Sequence, residues 1–134
     1  MTQLSLHHIS LPVRDLARSA EFYDYTLGLP RLPRPEFGFD GLWYGCGDGQ
    51  LHLIVNPEGT YRNGPVTGRD IHFALSTKDF DGFIARLSAA GYSEDAAPDD
   101  PKRLRVQRDS DAGFAQVFLM DPDGHLVEIN RARG

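Results

Sequence analysis

The sequence contains a weak internal repeat, which constrains the fold more than any other feature. Residues 8–11 (HISL) align with residues 72–75 (HFAL), and the flanking residues align with them. The two copies also end with similar sequences. Residues 51–53 (LHL) and 127–129 (VEI) each place a polar side chain between two apolar ones. Self-similarity of this kind predicts two copies of one supersecondary unit that share a core.

The first copy has the pattern strand, helix, strands. Residues 6–13 alternate well enough for a strand, and Asp15 then offers the N-cap of a helix that ends at Gly28. Residues 30–41 contain three prolines and predict a loop or an irregular edge. Two further strands are predicted at residues 42–44 and 50–55.

The second copy repeats this order. A strand is predicted at residues 71–76, and Asp79 is the N-cap or an early residue of a helix that ends at Gly91. Asp121-Pro122-Asp123-Gly124 is a turn sequence between the last two strands. The remaining strands are predicted at residues 103–108, 114–120 and 126–130. Both halves are therefore predicted to be βαβββ modules, at residues 4–56 and 70–131, joined by a linker at residues 57–69.

Composition narrows the class of protein. The 134 residues suffice for one domain, and a net charge of −5 argues against a nucleic-acid partner. No apolar run approaches the roughly 20 residues of a membrane span, and the N-terminus carries no signal-peptide pattern. Cys46 is the only cysteine, so no intrachain disulfide is possible. We expect a cytoplasmic protein.

Four polar side chains occupy equivalent positions in the repeat and are predicted to leave the sheets on the face away from the helices. They are His8, His52, His72 and Glu128. A carboxylate on such a face is costly unless it is paired or bound to a metal. Three imidazoles and one carboxylate are a set that a divalent metal accepts. His7 points to the other face and His125 follows a turn, so neither is included.

The chain resembles the vicinal oxygen chelate superfamily in residues 8–23 (HISLPVRDLARSAEFY) and residues 121–129 (DPDGHLVEI). This group includes glyoxalase I, extradiol dioxygenases, fosfomycin-resistance thiol transferases and bleomycin-binding proteins. The resemblance implies an α+β fold of paired βαβββ modules that form an open, cup-shaped mixed β-sheet with the helices outside. It also implies a metal in the cup, with ligands from the first and last strands of each module. The implied ligands are His8, His52, His72 and Glu128.

One position departs from this pattern. Glyoxalase I enzymes typically have glutamate where this chain has His52. With Glu128 as the single carboxylate, a bound divalent ion keeps a net charge of about +1 and offers fewer candidate bases. Glu128 is the expected base if it loosens from the metal, and a metal-bound hydroxide is the alternative. Whether His52 binds the metal directly or only lines the cavity is left open.

The resemblance implies a metal-dependent lyase or isomerase of glyoxalase type, acting on a small substrate chelated through vicinal oxygens. The metal would be Zn, Ni, Co, Mn or Fe(II). An Fe(II) extradiol-type dioxygenase is an alternative, because His8, His72 and Glu128 form a two-histidine, one-carboxylate set. A non-catalytic drug- or metabolite-binding resistance protein is another. A thiol transferase is the least favoured, with the basic residues at 103, 105 and 108 meeting an anionic substrate. We expect a homodimer, with modules paired within one chain or between two.

Overall fold

The computed structural model describes residues 3–133, which divide between Tyr61 and Arg62 into two compact units. The first unit has the strands β1 (His8–Val13), β2 (Arg31–Leu32), β3 (Gly41–Cys46) and β4 (Gly49–Val55), with helix α1 (Leu16–Glu21) between the first two. The second unit has the strands β5 (His72–Thr77), β6 (Arg105–Gln107), β7 (Gln116–Met120) and β8 (Leu126–Arg131), with helix α2 (Phe80–Ala89) after β5.

Both units have the same sheet topology. The strand order is β1-β4-β3-β2 in the first sheet and β5-β8-β7-β6 in the second. In each sheet the first strand pairs in parallel with the last one, and the other pairs are antiparallel. The first and last strands of each unit are therefore neighbours. The predicted α+β fold class, with two βαβββ units that each carry an open mixed sheet, is confirmed.

Both helices begin where the sequence predicts. Asp15 Oδ1 accepts a hydrogen bond from the backbone N–H of Arg18 at 3.1 Å, and Asp79 Oδ1 accepts one from Gly82 N–H at 3.0 Å. These side chains satisfy N–H groups that have no partner within the helix. Helix α1 is shorter than the predicted helix, because it continues as a π-helical segment, Phe22–Thr26. The Leu27 N–H bonds to the Phe22 carbonyl, which lies five residues back.

The apolar side chains beside the candidate ligands are buried, as their alternation predicts. Leu51 and Leu53 flank His52 and have no exposed surface, and Val127 and Ile129 flank Glu128 with 0% and 2% exposed. Burying a side chain of this size stabilises the fold by roughly 1.5–3 kcal/mol. These four residues anchor β4 and β8 in their units, which fixes the opposite face of each strand for the polar side chains.

Several predicted boundaries were wrong. The first strand begins at His8 and leaves Leu6 78% exposed, and β5 likewise excludes Ile71, which is 90% exposed. The prediction of a loop or an irregular edge at residues 30–41 is confirmed, because this stretch contains the two-residue edge strand β2, which pairs with β3. Strand β6 is only three residues long. In the described residues, no helix is long and apolar enough to cross a membrane.

Candidate metal centre

The first unit brings two of the candidate ligands into contact. His8 lies on the edge strand β1 and His52 on its parallel neighbour β4, where Ser10 is the direct partner of His52. The imidazole rings of His8 and His52 stack with centroids 4.1 Å apart and planes 17° apart. His52 is buried and His8 is exposed, so the pair extends from the interior of the unit to its surface.

The second unit brings the other two candidates into contact in the same way. Ala74 on β5 is the direct partner of Glu128 on β8, so His72 precedes that partner by two residues, as His8 precedes Ser10. His72 Nε2 lies 3.3 Å from Glu128 Oε1. The side chain of His72 is 26% exposed and that of Glu128 is 6% exposed. The repeat seen in the sequence is therefore also a repeat in strand register.

Each pair belongs to a separate unit. Within residues 3–133, no three His, Cys, Asp or Glu side chains are grouped closely enough to hold a metal ion. The structure thus brings His8 together with His52, and His72 together with Glu128. A centre that uses all four side chains stays a prediction.

A glutamine holds the imidazole of His52. His52 Nε2 donates a hydrogen bond to Gln50 Oε1 at 2.8 Å, so Nδ1 carries the lone pair when the ring is neutral. Burial lowers the pKa of His52 below its ordinary value of 6.5, and the nearby positive charges of His8, His7 and Arg34 lower it further. The neutral form of imidazole, which is the form that binds metals, is therefore favoured at His52.

His72 has a fixed tautomer of its own. Its Nδ1 donates to the Asp70 carbonyl at 2.8 Å, so Nε2 faces Glu128 Oε1 with a lone pair when the ring is neutral. Two lone pairs facing each other at this distance repel, unless a proton or a metal ion lies between them. In metal-binding histidines, the ring nitrogen that does not bind the metal usually donates a hydrogen bond, often to a backbone carbonyl.

The carboxylate of Glu128 is held by neutral groups. Asn130 Nδ2 donates to Glu128 Oε2 at 2.8 Å, and Ser76 Oγ donates to Asn130 Oδ1 at 2.6 Å. No Lys or Arg side chain in the described part of the chain forms an ion pair with Glu128. A buried carboxylate held in this way is available to a cation from outside the chain.

Sequence reasoning missed several residues that contact the candidates. The Trp43 indole stacks on the His52 ring, and the Phe118 ring meets His72 edge-on with centroids 5.4 Å apart. His7, which strand alternation had placed on the other face, lies with Nδ1 2.8 Å from Nδ1 of His8. Because His7 precedes β1, alternation does not apply to it. The strand register could have located Trp43 and Phe118, which are the direct partners of His52 and Glu128.

The basic cluster proposed for an anionic substrate is largely used within the second unit. Arg108 makes two hydrogen bonds to the Glu94 carboxylate, both at 3.0 Å. Arg103 Nη1 donates to the Ala96 carbonyl at 2.6 Å. These contacts give two of the three arginines a structural role.

Comparison with known proteins decides the family. The family model described as the Glyoxalase/Bleomycin resistance protein/Dioxygenase superfamily matches residues 5–129. The chain belongs to this superfamily. The implied family membership is thereby confirmed, and the match includes all four candidate ligands.

Individual members of the superfamily resemble this chain at low identity. Glyoxylase I 4 from Arabidopsis thaliana is 29% identical over 93% of this chain and 69% of its own length. A lactoylglutathione lyase from the same plant is 30% identical, and the match covers 91% of this chain but 42% of that protein. A glyoxalase-family structure from Bacillus anthracis superposes with a TM-score of 0.77 at 18% identity, covering 99% of this chain and 98% of the other, which shows a shared fold.

Proposed function

We propose that this chain is a metal-dependent, glyoxalase-like enzyme, a lyase or isomerase whose divalent ion is bound by His8, His52, His72 and Glu128. One observation carries the proposal. In both units, a candidate ligand on the edge strand contacts a candidate ligand on its parallel neighbour, with the same strand register. Matching positions in both copies favour one shared role for these side chains over separate structural roles.

The donor set suits a divalent ion of borderline softness. Imidazole nitrogens and one carboxylate are ligands for zinc, nickel, cobalt, manganese and Fe(II). The carboxylate of Glu128 is nearly buried, and within residues 3–133 its only polar partners are His72 and Asn130. Taking a charge out of water in this way costs several kcal/mol unless an opposite charge compensates it. A bound cation would supply that charge.

In the proposed reaction, the metal ion and the side chains have different roles. A divalent ion at this position would act as a Lewis acid that stabilises an oxyanion on a substrate with two adjacent oxygens. The residue proposed to hold and move the proton is Glu128, through Oε1, because Oε2 accepts the hydrogen bond from Asn130. The hydrogen bond from His72 to the Asp70 carbonyl keeps that imidazole oriented throughout.

Metal content tests the proposal first. We expect protein purified without chelator to carry about one divalent ion per chain, measured by plasma mass spectrometry. Glu128→Ala and His52→Ala should lower that content, whereas Glu94→Ala, which removes a surface carboxylate paired with Arg108, should leave it unchanged. A wild-type protein that takes up none of the five ions would refute the metal site.

Glu128→Gln then tests the role of the carboxylate in proton transfer. The amide keeps the shape of the side chain and an oxygen that can bind a metal, but it cannot accept a proton at neutral pH. We expect a variant that retains part of its metal and has lost most of its activity. Full activity in Glu128→Gln would contradict the assignment of Glu128 as the base.

Two alternative functions are each favoured by a specific observation. The contact of His72 with Glu128 supplies two of the three members of a two-histidine, one-carboxylate Fe(II) set, so iron as the resident metal and a requirement for O₂ would favour a dioxygenase. The exposed rings of Phe37 and Phe39 suit a protein that sequesters a flat molecule without altering it. Binding without turnover, in protein that holds no metal, would favour that function.

The assembly proposed is a homodimer that binds a small molecule. Strands β1 and β5 are each the edge strand of their own sheet, and each carries a candidate ligand. An edge strand offers unpaired backbone groups to a second sheet. Light scattering coupled to size exclusion would give twice the chain mass if two copies associate.

A further inference from the structure

Arg34 lies half-buried in the first unit, and no carboxylate in the described part of the chain pairs with it. It makes one hydrogen bond, from Nη2 to the Phe39 carbonyl at 3.0 Å, and its Nε is buried without an acceptor. A guanidinium has five N–H donors, and because Nε is buried, a ligand would have to use the terminal nitrogens. The nearest carboxylates in sequence, Glu36 and Asp40, are exposed and form no ion pair with it in the described residues.

Some arginines of the chain are paired with carboxylates. Arg31 binds Asp24, Arg62 binds Asp70 and Arg108 binds Glu94, each at 3.0 Å or less. Those pairs include exposed arginines, for which an ion pair contributes little. Arg34 is half-buried and has no such carboxylate among the described residues, and in this it resembles Arg103, which donates to a backbone carbonyl instead. An anion from outside the chain would supply the missing charge at Arg34.

Aromatic rings surround the Arg34 guanidinium. Its Cζ lies 4.9 Å from the ring centroid of Phe37 and 5.3 Å from that of Phe39. The two rings stack on each other with centroids 5.6 Å apart, and they are 47% and 48% exposed. Cations are attracted to the faces of aromatic rings, so the rings hold the guanidinium without using its N–H donors.

The ring cluster is continuous with the candidate metal ligands. Trp43 contacts the Phe37 ring, with centroids 5.9 Å apart, and stacks on His52 at 4.2 Å. His52 in turn stacks on His8. The exposed rings therefore stand at one end of a row of five rings that ends at the proposed metal site.

Gly41 leaves room for this arrangement. A Cβ atom added at Gly41 would collide with the Leu53 carbonyl oxygen on β4, and it would lie 3.0 Å from both Nε and Nη2 of Arg34. The guanidinium therefore rests against the start of β3, and a larger residue there would meet both the backbone of β4 and the Arg34 side chain. A cation held in place before the ligand arrives loses less entropy on binding.

We propose that Arg34, Phe37 and Phe39 form a binding site for an aromatic carboxylate, with the carboxylate on the guanidinium and the ring against the two phenylalanines. As a statement about the substrate of the enzyme, this rests on the proposed function. The binding itself involves no metal ligand, so it is measurable in metal-free protein.

Three small molecules of similar shape separate charge from aromaticity. Benzoate has both features, benzamide is aromatic and neutral, and cyclohexanecarboxylate is anionic without a ring. We expect metal-free protein to bind benzoate more tightly than either of the others, measured by isothermal titration calorimetry and by the emission of Trp43. Equal affinity for benzoate and benzamide, or no saturable binding of benzoate, would overturn the proposal.

Substitution of Arg34 tests the assignment of the site. Arg34→Gln should raise the Kd for benzoate by roughly tenfold or more, because a charged hydrogen bond contributes about 1.5–3 kcal/mol. Arg108→Gln, which removes an arginine paired with Glu94, is the matched control and should leave the Kd unchanged. If Arg34→Gln does not fold, as judged by circular dichroism, Phe37→Leu provides a second variant that should weaken benzoate binding. Unchanged affinity in a folded variant of either residue would refute the site.

Metal-loaded protein separates this proposal from the proposed function. Arg34→Gln should keep the full metal content of the wild type, because Arg34 is not among the proposed ligands. Loss of metal binding in the wild type, together with benzoate binding that depends on Arg34, would refute the enzyme and retain the aromatic carboxylate site. Metal binding without benzoate binding would refute the aromatic carboxylate site and retain the proposed enzyme.

Discussion

The indole of Trp43 lies parallel to the imidazole of His52, with ring centroids 4.2 Å apart and planes 7° apart. Trp43 is the only tryptophan of the chain. Its emission therefore reports on one of the four proposed ligands. We expect Zn²⁺ added to metal-free protein to change this emission with a saturable dependence on concentration, followed by fluorescence titration.

His52→Ala should abolish that response, because the ring that couples the metal to the indole is removed. His125→Ala is the matched control, since His125 lies in the turn before β8 and is not a proposed ligand. A zinc response that persists in His52→Ala would show that the ion binds elsewhere.

Gln50 and Asn130 should tune the metal affinity without binding the metal. Each makes a 2.8 Å hydrogen bond to a proposed ligand, Gln50 to His52 and Asn130 to Glu128. Loss of such outer partners typically lowers metal affinity by about 10–100-fold. We therefore expect Gln50→Ala and Asn130→Ala to weaken zinc binding to that extent in a competition assay with a chelating dye.

Gln107→Ala offers a control for these amide substitutions, because Gln107 lies on β6, the far edge of its sheet from β5. Ser76→Ala should have a smaller effect in the same direction as Asn130→Ala, since its hydroxyl orients the Asn130 amide. Zinc affinity that stays at the wild-type value in both amide variants would contradict this outer role.

Residues that recur in the repeat were predictable from sequence, and the residues that contact them were not. Alternation placed His52 between Leu51 and Leu53 on β4, and Glu128 in the equivalent position on β8, because strand geometry depends on neighbouring residues alone. The contact of Trp43 with His52 depends instead on the register of two paired strands.

The contacts of the segment around Arg34 were even less predictable from the sequence. Its three prolines predicted a loop or an irregular edge, and the two-residue strand β2 follows from pairing with β3. The position of Arg34 depends on the space left by Gly41 and on the rings that follow it. Such contacts arise from tertiary packing, which leaves no periodic signal in the sequence.

Gly124 should be less tolerant of substitution than Gly47. Both have a positive φ, of 87° and 58°, so alanine at either position costs about 1–2 kcal/mol through the backbone. A Cβ at Gly124 would also lie 3.0 Å from the Arg62 carbonyl oxygen, whereas nothing lies within 4 Å of one at Gly47. Urea unfolding should therefore show a larger loss of stability for Gly124→Ala. Equal losses would mean that the Arg62 carbonyl moves aside without cost.

The pair of Asp24 and Arg31 should make stability depend on pH. Asp24 lies in the π-helical segment and Arg31 on β2, and Arg31 donates to the carboxylate from Nε at 3.0 Å and from Nη2 at 2.6 Å. The hydrogen bonds from Arg31 lower the pKa of Asp24 below its ordinary value of 3.8, and burial partly opposes them. Protons therefore bind the unfolded chain more readily than the folded one, and the stabilisation by this carboxylate is fully present above the unfolded pKa.

We expect Asp24→Asn to lower the free energy of unfolding at neutral pH by about 1–2 kcal/mol, as measured by urea denaturation. The difference from wild type should shrink as the pH falls below about 4 and through the lowered pKa of Asp24, because the wild-type carboxylate is then protonated too. Asp48→Asn, at an exposed residue in the turn between β3 and β4, removes the same charge without a salt bridge and should show a smaller difference. A difference between wild type and Asp24→Asn that stays constant over this range would show that the pair holds the fold by shape and not by charge.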